Sequence, residues 1–238
     1  MKIRIKFAKY GAMKFIGHLD MMRFFQKAVR RADIDVRYSE GFSPHQIMSF
    51  AAPLGVGIES FGEYMDIEVR SMTSAEQIKQ ALSQAMVEGV EILSVSVLPD
   101  QAKNAMASVA AAGYRLQMKE GAFPIPDLKD KIRDFYGQAH IPYTKETKKS
   151  VVELDLKQGI YEMDADGDGA VTMLVCASSS GNIKPTAVFE KFCEFAGADI
   201  PSDLYQVTRL ETYTDLSKEG EACRFIPLAM VGSGSDFM

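Results

Sequence analysis

The chain of 238 residues contains no tryptophan, three cysteines and three histidines. Cys176, Cys193 and Cys223 stand far apart, with no C-x-x-C or C-x-x-x-C-x-x-C spacing, so neither a zinc nor an iron–sulfur site is encoded. They read as buried free thiols. No stretch approaches ~18 consecutive apolar residues, so no membrane span is expected. The N-terminus, MKIRIKFAKY, alternates cations with apolar residues and lacks a signal-peptide core. G-x-S-x-G, P-loop and dinucleotide motifs are absent as well. The expectation is a cytoplasmic protein with no membrane partner, no metal and no cofactor of its own.

Hydrophobic residues make up 47% and charged residues 25%, the balance of an ordinary globular chain. The net charge of −5 is unevenly spread. Residues 1–40 hold ten Lys/Arg against four acids, a surplus of six cations, so the rest carries eleven net negative charges. That split admits two readings. One is a basic anion- or nucleic-acid-binding face, and the other is a surface balanced in space by acids from elsewhere.

Residues 2–8 alternate Ile3, Ile5 and Phe7 against Lys2, Arg4 and Lys6, the pattern of a half-buried strand. A helix is predicted from about His18 to Arg31, burying Leu19, Met22, Phe25 and Val29, with Met21, Phe24 and Ala28 widening the stripe. Its Arg23, Lys27, Arg30 and Arg31 fall on the other side, the last two also suiting the helix dipole. A short strand at Asp35–Tyr38 and another at Gly62–Arg70 follow. A helix capped by Thr73 or Ser74 is then expected to end at Gly89, before a strand at Val90–Leu98. The second half repeats the order: a strand within Ala107–Lys119, a helix opened by Pro124 and Pro126, strands at Val151–Met163 and Ala170–Ala177, a helix Pro185–Ala196 burying Phe195, and a strand Leu204–Tyr213. The fold class expected is α+β, as two tandem ferredoxin-like (βαββαβ) units. They divide near residue 100, into 1–100 and 101–231, with 232–238 as a mobile tail.

Residues 39–60 are predicted to form a long loop that organises the first unit. Gly41, Pro44, Pro53, Gly55 and Gly57 punctuate it, and Phe42, Phe50, Leu54 and Ile58 lie between them. Such a loop is either a functional element or a packed connection with His45 bonded to backbone. His18 and His45 are the candidate acid/base pair, against a neutral His18 that serves only as a hydrogen-bond partner. Asp164–Gly169, DADGDG, resembles the start of a calcium loop, but its twelfth position is Val175, not Glu, and a hairpin turn is the better reading.

Two stretches carry a family resemblance. The first reads Phe15, Ile16, Gly17, His18, Leu19, Asp20, Arg23. The second reads Ser39, Gly41, Phe42, Pro44, His45, Ser49, Phe50, Pro53, Leu54, Val56, Gly57, Glu59, Ser60, with Gly181–Pro185 as a weaker element. They resemble the radical-SAM-linked protein family, a bacterial domain of unknown function found alone or fused behind a radical SAM protein with a cobalamin-binding-type domain. Gly17 departs from its usual Ser, which costs little at a helix cap. The resemblance implies a radical SAM partner on a separate chain, because this chain has no cluster-binding cysteines. The tandem fold is also similar, by analogy, to RNA-binding and RNA-cleaving proteins of CRISPR systems.

The function expected is therefore an accessory or substrate-presenting subunit of a radical SAM enzyme that binds RNA and is not catalytic by itself. Arg23, Lys27, Arg30 and Arg31 would contact phosphate, and Phe42 and Phe50 would stack on bases. The alternatives are a metal-independent RNA-processing nuclease using His18 and His45, and a pure protein-interaction module.

Overall fold

The computed structural model describes residues 1–71, 74–120, 125–146, 151–218 and 220–231. The structure is mixed α/β, with mostly antiparallel strands and five α-helices among the described residues. It divides into two compact units, one of residues 1–110 with 211–238 and one of residues 111–210.

The first unit contains β1 (Lys2–Lys9), α1 (His18–Arg31), β2 (Met48–Phe50), β3 (Glu59–Glu68), α2 (Ala75–Gln84), β4 (Val90–Val97) and the short α3 (Ala105–Ser108). β1 lies between β4 and β3, antiparallel to both, and β2 pairs antiparallel with the far end of β3. Ile3, Ile5 and Phe7 of β1 pack with Met65 and Ile67 of β3 against Met21, Phe25 and Val29 of α1 and Ile78 and Leu82 of α2. Phe7 and Phe25 sit 4.7 Å apart, tilted, at the centre of this core. Ser74 caps α2 by accepting the Gln77 N–H at 3.1 Å, while Thr73 lies outside the described residues.

Several boundaries differ from the sequence expectation. Asp35–Tyr38 forms only isolated bridges, Val36 with Val69 and Tyr38 with Gln46. Strand structure moves instead into the expected loop, as β2 and the first residues of β3. Leu19 points outward, because the buried stripe of α1 is Met21, Phe25, Ala28 and Val29. α2 stops at Gln84, and Gly89 serves the next turn. There its φ is +87°, its carbonyl accepts the Tyr10 N–H at 2.9 Å, and a Cβ would come 2.7 Å from the Tyr10 carbonyl oxygen. β3 reads as half-buried, yet Tyr64 and Asp66 on its second face are buried too. Arg4 meets Asp66 there with two bonds of 2.8 and 2.9 Å, and reaches the carbonyls of Leu228 and Lys103.

The second unit contains β5 (Ala111–Met118), α4 (Leu128–Tyr136), β6 (Pro142–Glu146), β7 (Val151–Asp155), β8 (Ile160–Ala165), β9 (Val171–Cys176), α5 (Pro185–Ala196) and the first part of β10 (Tyr205–Asp215). Its sheet runs β10, β5, β9, β8, and β6 and β7 form a separate hairpin. The expected single strand over Val151–Met163 is broken because Asp155 accepts the N–H groups of Ile141 and Lys157 and turns the chain. The strand expected within Ala107–Lys119 is β5, and it is preceded by the short helix α3, which Asn104 caps through the Ala107 N–H. Phe195 is exposed, where burial is expected from the helix pattern. Pro124 and the tail 232–238 lie outside the described residues.

The unit boundary falls after residue 110, and the chain beyond residue 210 belongs with the first unit. Physical ties explain this. Thr212 donates its hydroxyl to the Gly62 carbonyl at 2.7 Å, Lys6 pairs with Glu211 at 2.6 Å, and β11 (Phe225–Pro227) pairs with the end of β10. Among the cysteines only Cys193 is buried, and its thiol is pushed up to about 12 by burial, with Glu190 and Asp199 adding to it. Cys176 is half-buried and Cys223 is exposed, and none of the three is joined in a disulfide. No helix among the described residues is long and apolar enough to cross a membrane.

Candidate functional site

The two motif stretches converge on one small cavity in the first unit. Its volume is about 20 Å³, room for roughly one water. Phe7, Phe50 and Leu54 supply apolar wall, and Lys9, His18 and Glu63 supply the polar groups. His18 opens α1, and its ring meets Phe50 edge-on at 5.5 Å. Phe50 also packs on Phe7 and Phe25, at 6.1 and 5.8 Å. The organising loop therefore fills space against the core in this segment.

Lys9 and Glu63 are absent from the motif reading. Their signal was positional: Lys9 continues the alternation Ile3, Ile5, Phe7, and Glu63 shares parity with Met65 and Ile67. Lys9 is only 3% exposed, and its ammonium donates to the Ile16 carbonyl at 2.5 Å. Burial pushes its pKa below the ordinary lysine value, while the charge of Glu63 opposes that shift. Ser60 donates to Glu63 at 2.7 Å and accepts the Gly62 N–H at 3.1 Å. An amine, an imidazole and a carboxylate thus face a space fit for proton exchange with a water, but too small for a substrate.

The Lys9 shift has a testable sign. An unfolded Lys9 holds its proton up to about its ordinary 10.5, whereas the folded residue releases it at lower pH. Between those values the unfolded state binds more protons, so this group makes stability rise with pH. Urea titrations should show the stability difference, parent minus Lys9→Met, climbing from neutral pH toward 10.5. A flat or falling difference would mean that Lys9 is not desolvated.

The remaining motif residues shape the loop. Ser39 Oγ lies 2.9 Å from His45 Nδ1 and accepts the His45 N–H at 3.1 Å, closing the segment that carries Gly41, Phe42 and Pro44. Gly41 has φ of +106° in that segment. Ser49 stands opposite Asp66 in the β2–β3 register, and Pro53 is exposed beyond it. Gly57 donates its N–H to the Lys14 carbonyl, and Glu59 accepts from Gly11 N–H and Lys14 Nζ. His18 meets the Phe50 ring, whereas His45 contacts the Ser39 hydroxyl and the Ser43 carbonyl.

The basic residues of α1 differ in their freedom. Arg23 pairs with Asp20 at 3.1 Å, and Arg31 donates to the Ala85 carbonyl at 2.9 Å. Arg30 uses Nε on the Gln26 carbonyl, and Lys27 is exposed. Phe42 is fully exposed, whereas Phe50 is half-buried and packs against the core. In the second unit, the DADGDG stretch is a turn. Asp166 takes Arg115 Nε at 2.5 Å and the N–H groups of Asp168 and Ala170. Burial works against the charge of Asp166, but these bonds outweigh it and hold its carboxyl below the usual range.

A mixed α/β chain whose first unit is built around two motif stretches is thus the class defined by fold and site. The chain belongs to the family described as "Uncharacterized protein conserved in bacteria (DUF2344)", whose model matches residues 2–185. No curated protein matches it. Among solved structures it is similar to a chain of a Cbf5-Nop10-Gar1 complex, with 8% identity and a TM-score of 0.42, covering 88% of this chain and 48% of that one. It is also similar to a heavy metal efflux pump, with 8% identity and a TM-score of 0.23, covering 89% of this chain and 28% of that one. The chain spans less than half the length of either, and likenesses this weak carry no argument.

Proposed function

We propose that the protein is a non-catalytic accessory subunit that docks a partner protein on the motif surface of its first unit and presents RNA beside it. The resemblance of the two motif stretches to the radical-SAM-linked family supports a radical SAM protein as that partner. The observation that carries this reading is the exposure of large apolar motif residues: Phe15 at 64%, Leu19 at 66%, Val56 at 63% and Phe42 fully. Other apolar motif residues, Phe50 and Leu54, go into the core or the cavity wall. Exposed apolar surface costs roughly 25 cal/mol per Å² in water, a cost that a partner removes. The Gly57 to Lys14 bond ties the segment of Val56 to that of Phe15, so both are held for contact. Exposed Lys27 and the unused nitrogens of Arg30 supply the cationic face for RNA.

Each unit is read as ferredoxin-like. The strand orders β4, β1, β3, β2 and β10, β5, β9, β8 support that reading. Nothing in the contacts of His18 and His45 favours a nuclease.

The test is a pull-down from a bacterial host with the full chain as bait, at low and high salt. Phe15→Ser with Val56→Ser should lower recovery of the radical SAM protein at least about tenfold at either salt. RNA recovery should fall steeply with salt alone. Unchanged protein recovery with the double variant would overturn the docking reading, and salt-indifferent or absent RNA would remove the RNA half.

A further inference from the structure

A second concavity lies in the first unit, away from the motif cavity. It is a cleft of about 500 Å³ at the C-terminal end of α1, bordered by Arg30, Asp33, Asp35, Tyr38 and Arg70 over Ile34 and Val36. That volume suits a small ligand, where the motif cavity suits a water. Its walls are fixed by backbone: Arg70 N–H donates to the Asp35 carbonyl at 2.8 Å, Arg37 N–H to the Glu68 carbonyl at 2.7 Å, and Val36 bridges Val69.

The charged groups on this frame are unevenly used. Asp35 is engaged, accepting the Ser71 hydroxyl at 2.8 Å. Arg30 spends only Nε, on the Gln26 carbonyl, and keeps both terminal nitrogens. The side chains of Arg70 and Asp33 take part in no hydrogen bond or ion pair among the described residues. Asp33 is held with φ of +51°, a conformation that costs energy outside glycine. Tyr38 keeps its ring partly exposed, its hydroxyl accepting one long bond of 3.5 Å from Gln46.

Two guanidinium groups, a carboxylate and an aromatic ring around one cleft describe a ligand with a dianionic end, hydroxyls and a flat face. We infer that this cleft binds a nucleoside 5′-monophosphate group. Arg30 and Arg70 take the phosphate oxygens, because guanidinium forks match phosphate geometry. Asp33 accepts from the ribose hydroxyls, as acidic residues do in other nucleotide sites. The Tyr38 ring offers the base a stacking face. The group comes either from a free nucleotide or from the 5′ end of an RNA. The inference is independent of partner docking and deepens only the RNA half of the reading above.

The test uses the full ¹⁵N-labelled chain titrated with adenosine 5′-monophosphate, inorganic phosphate, and an oligoadenylate with and without a 5′-phosphate. AMP should shift the amides of residues 33–38 and 70. Arg30→Ala with Arg70→Ala should weaken it roughly a hundredfold, and Tyr38→Leu about tenfold. These side chains lie at the surface, so unchanged far-UV circular dichroism is expected of the variants. The absence of shifts at millimolar AMP overturns the site. So does equal binding by the double variant, or phosphate binding as tightly as AMP. If the 5′-phosphorylated oligomer binds as well as AMP and its dephosphorylated form does not, the occupant is an RNA end. If only AMP binds, the occupant is a free nucleotide. AMP binding without RNA recovery in the pull-down would keep this site and remove the RNA reading.

Discussion

Arg4→Met should lower the stability of the first unit by about 3–5 kcal/mol. Arg4 is only 1% exposed, and its guanidinium meets both oxygens of Asp66, itself buried, at 2.8 and 2.9 Å. The same guanidinium reaches the carbonyls of Leu228 and Lys103, each at 3.3 Å. Removing it strands the Asp66 carboxylate away from water, while the two carbonyls keep other donors, the Val231 N–H and the Ser108 hydroxyl. Desolvation has already been incurred for the pair, so losing one member costs more than the pair is worth. The double variant Arg4→Met with Asp66→Leu should therefore recover most of the loss. Urea unfolding measures both. A shift for Arg4→Met below about 1 kcal/mol, the scale of an exposed pair, would show that this ion pair is not truly buried.

Gly62→Ala should cost at least about 3 kcal/mol, the upper end of ordinary overpacking. A Cβ at this position would lie 2.4 Å from the Cα of Glu211, 2.8 Å from its N and 2.9 Å from its carbonyl carbon. All three are backbone atoms, so no rotamer change relieves the clash and the two strands must separate. Separation also breaks the Thr212 to Gly62 bond of 2.7 Å and disturbs the Tyr64 hydroxyl on Glu211 at 2.6 Å. Gly57→Ala is the control: its φ is +86° but a Cβ there meets open space. Strain alone should cost it only about 1 kcal/mol. Equal melting temperatures for the two variants would mean that the approach of β3 to Glu211 is looser than drawn.

The alternating pattern of residues 2–8 was readable because a strand declares its faces locally, and the stripe on α1 because a helix does so too. Lys9 and Glu63 followed that same alternation, yet a charged residue at a core-facing position is read most readily as the end of the pattern. The packing of Phe50 was hidden for another reason. Its partners Phe7 and Phe25 come from earlier elements, and nothing local says that a Gly/Pro-rich loop will bend back onto them. Leu19 was misplaced by a helix stripe that is really centred on Met21 and Phe25. The break at Asp155 depends on a side chain capturing backbone N–H groups from both sides of it, which hydrophobic periodicity does not register.

Residues 111–210 interrupt the sequence of the first unit, whose last elements arrive only after them. On a ribosome this becomes a matter of time. The buried face of Arg4 and Asp66 needs the carbonyl of Leu228, and β3 needs Thr212. Synthesis of the intervening hundred or so residues takes on the order of ten seconds at ordinary elongation rates. For that interval the nascent N-terminal sheet waits with an open edge and a half-covered charge pair, while the later unit has all its strands in hand as soon as residue 210 emerges. The unit that begins first is thus the one that finishes last, and a chaperone that shields open strand edges would find its work there.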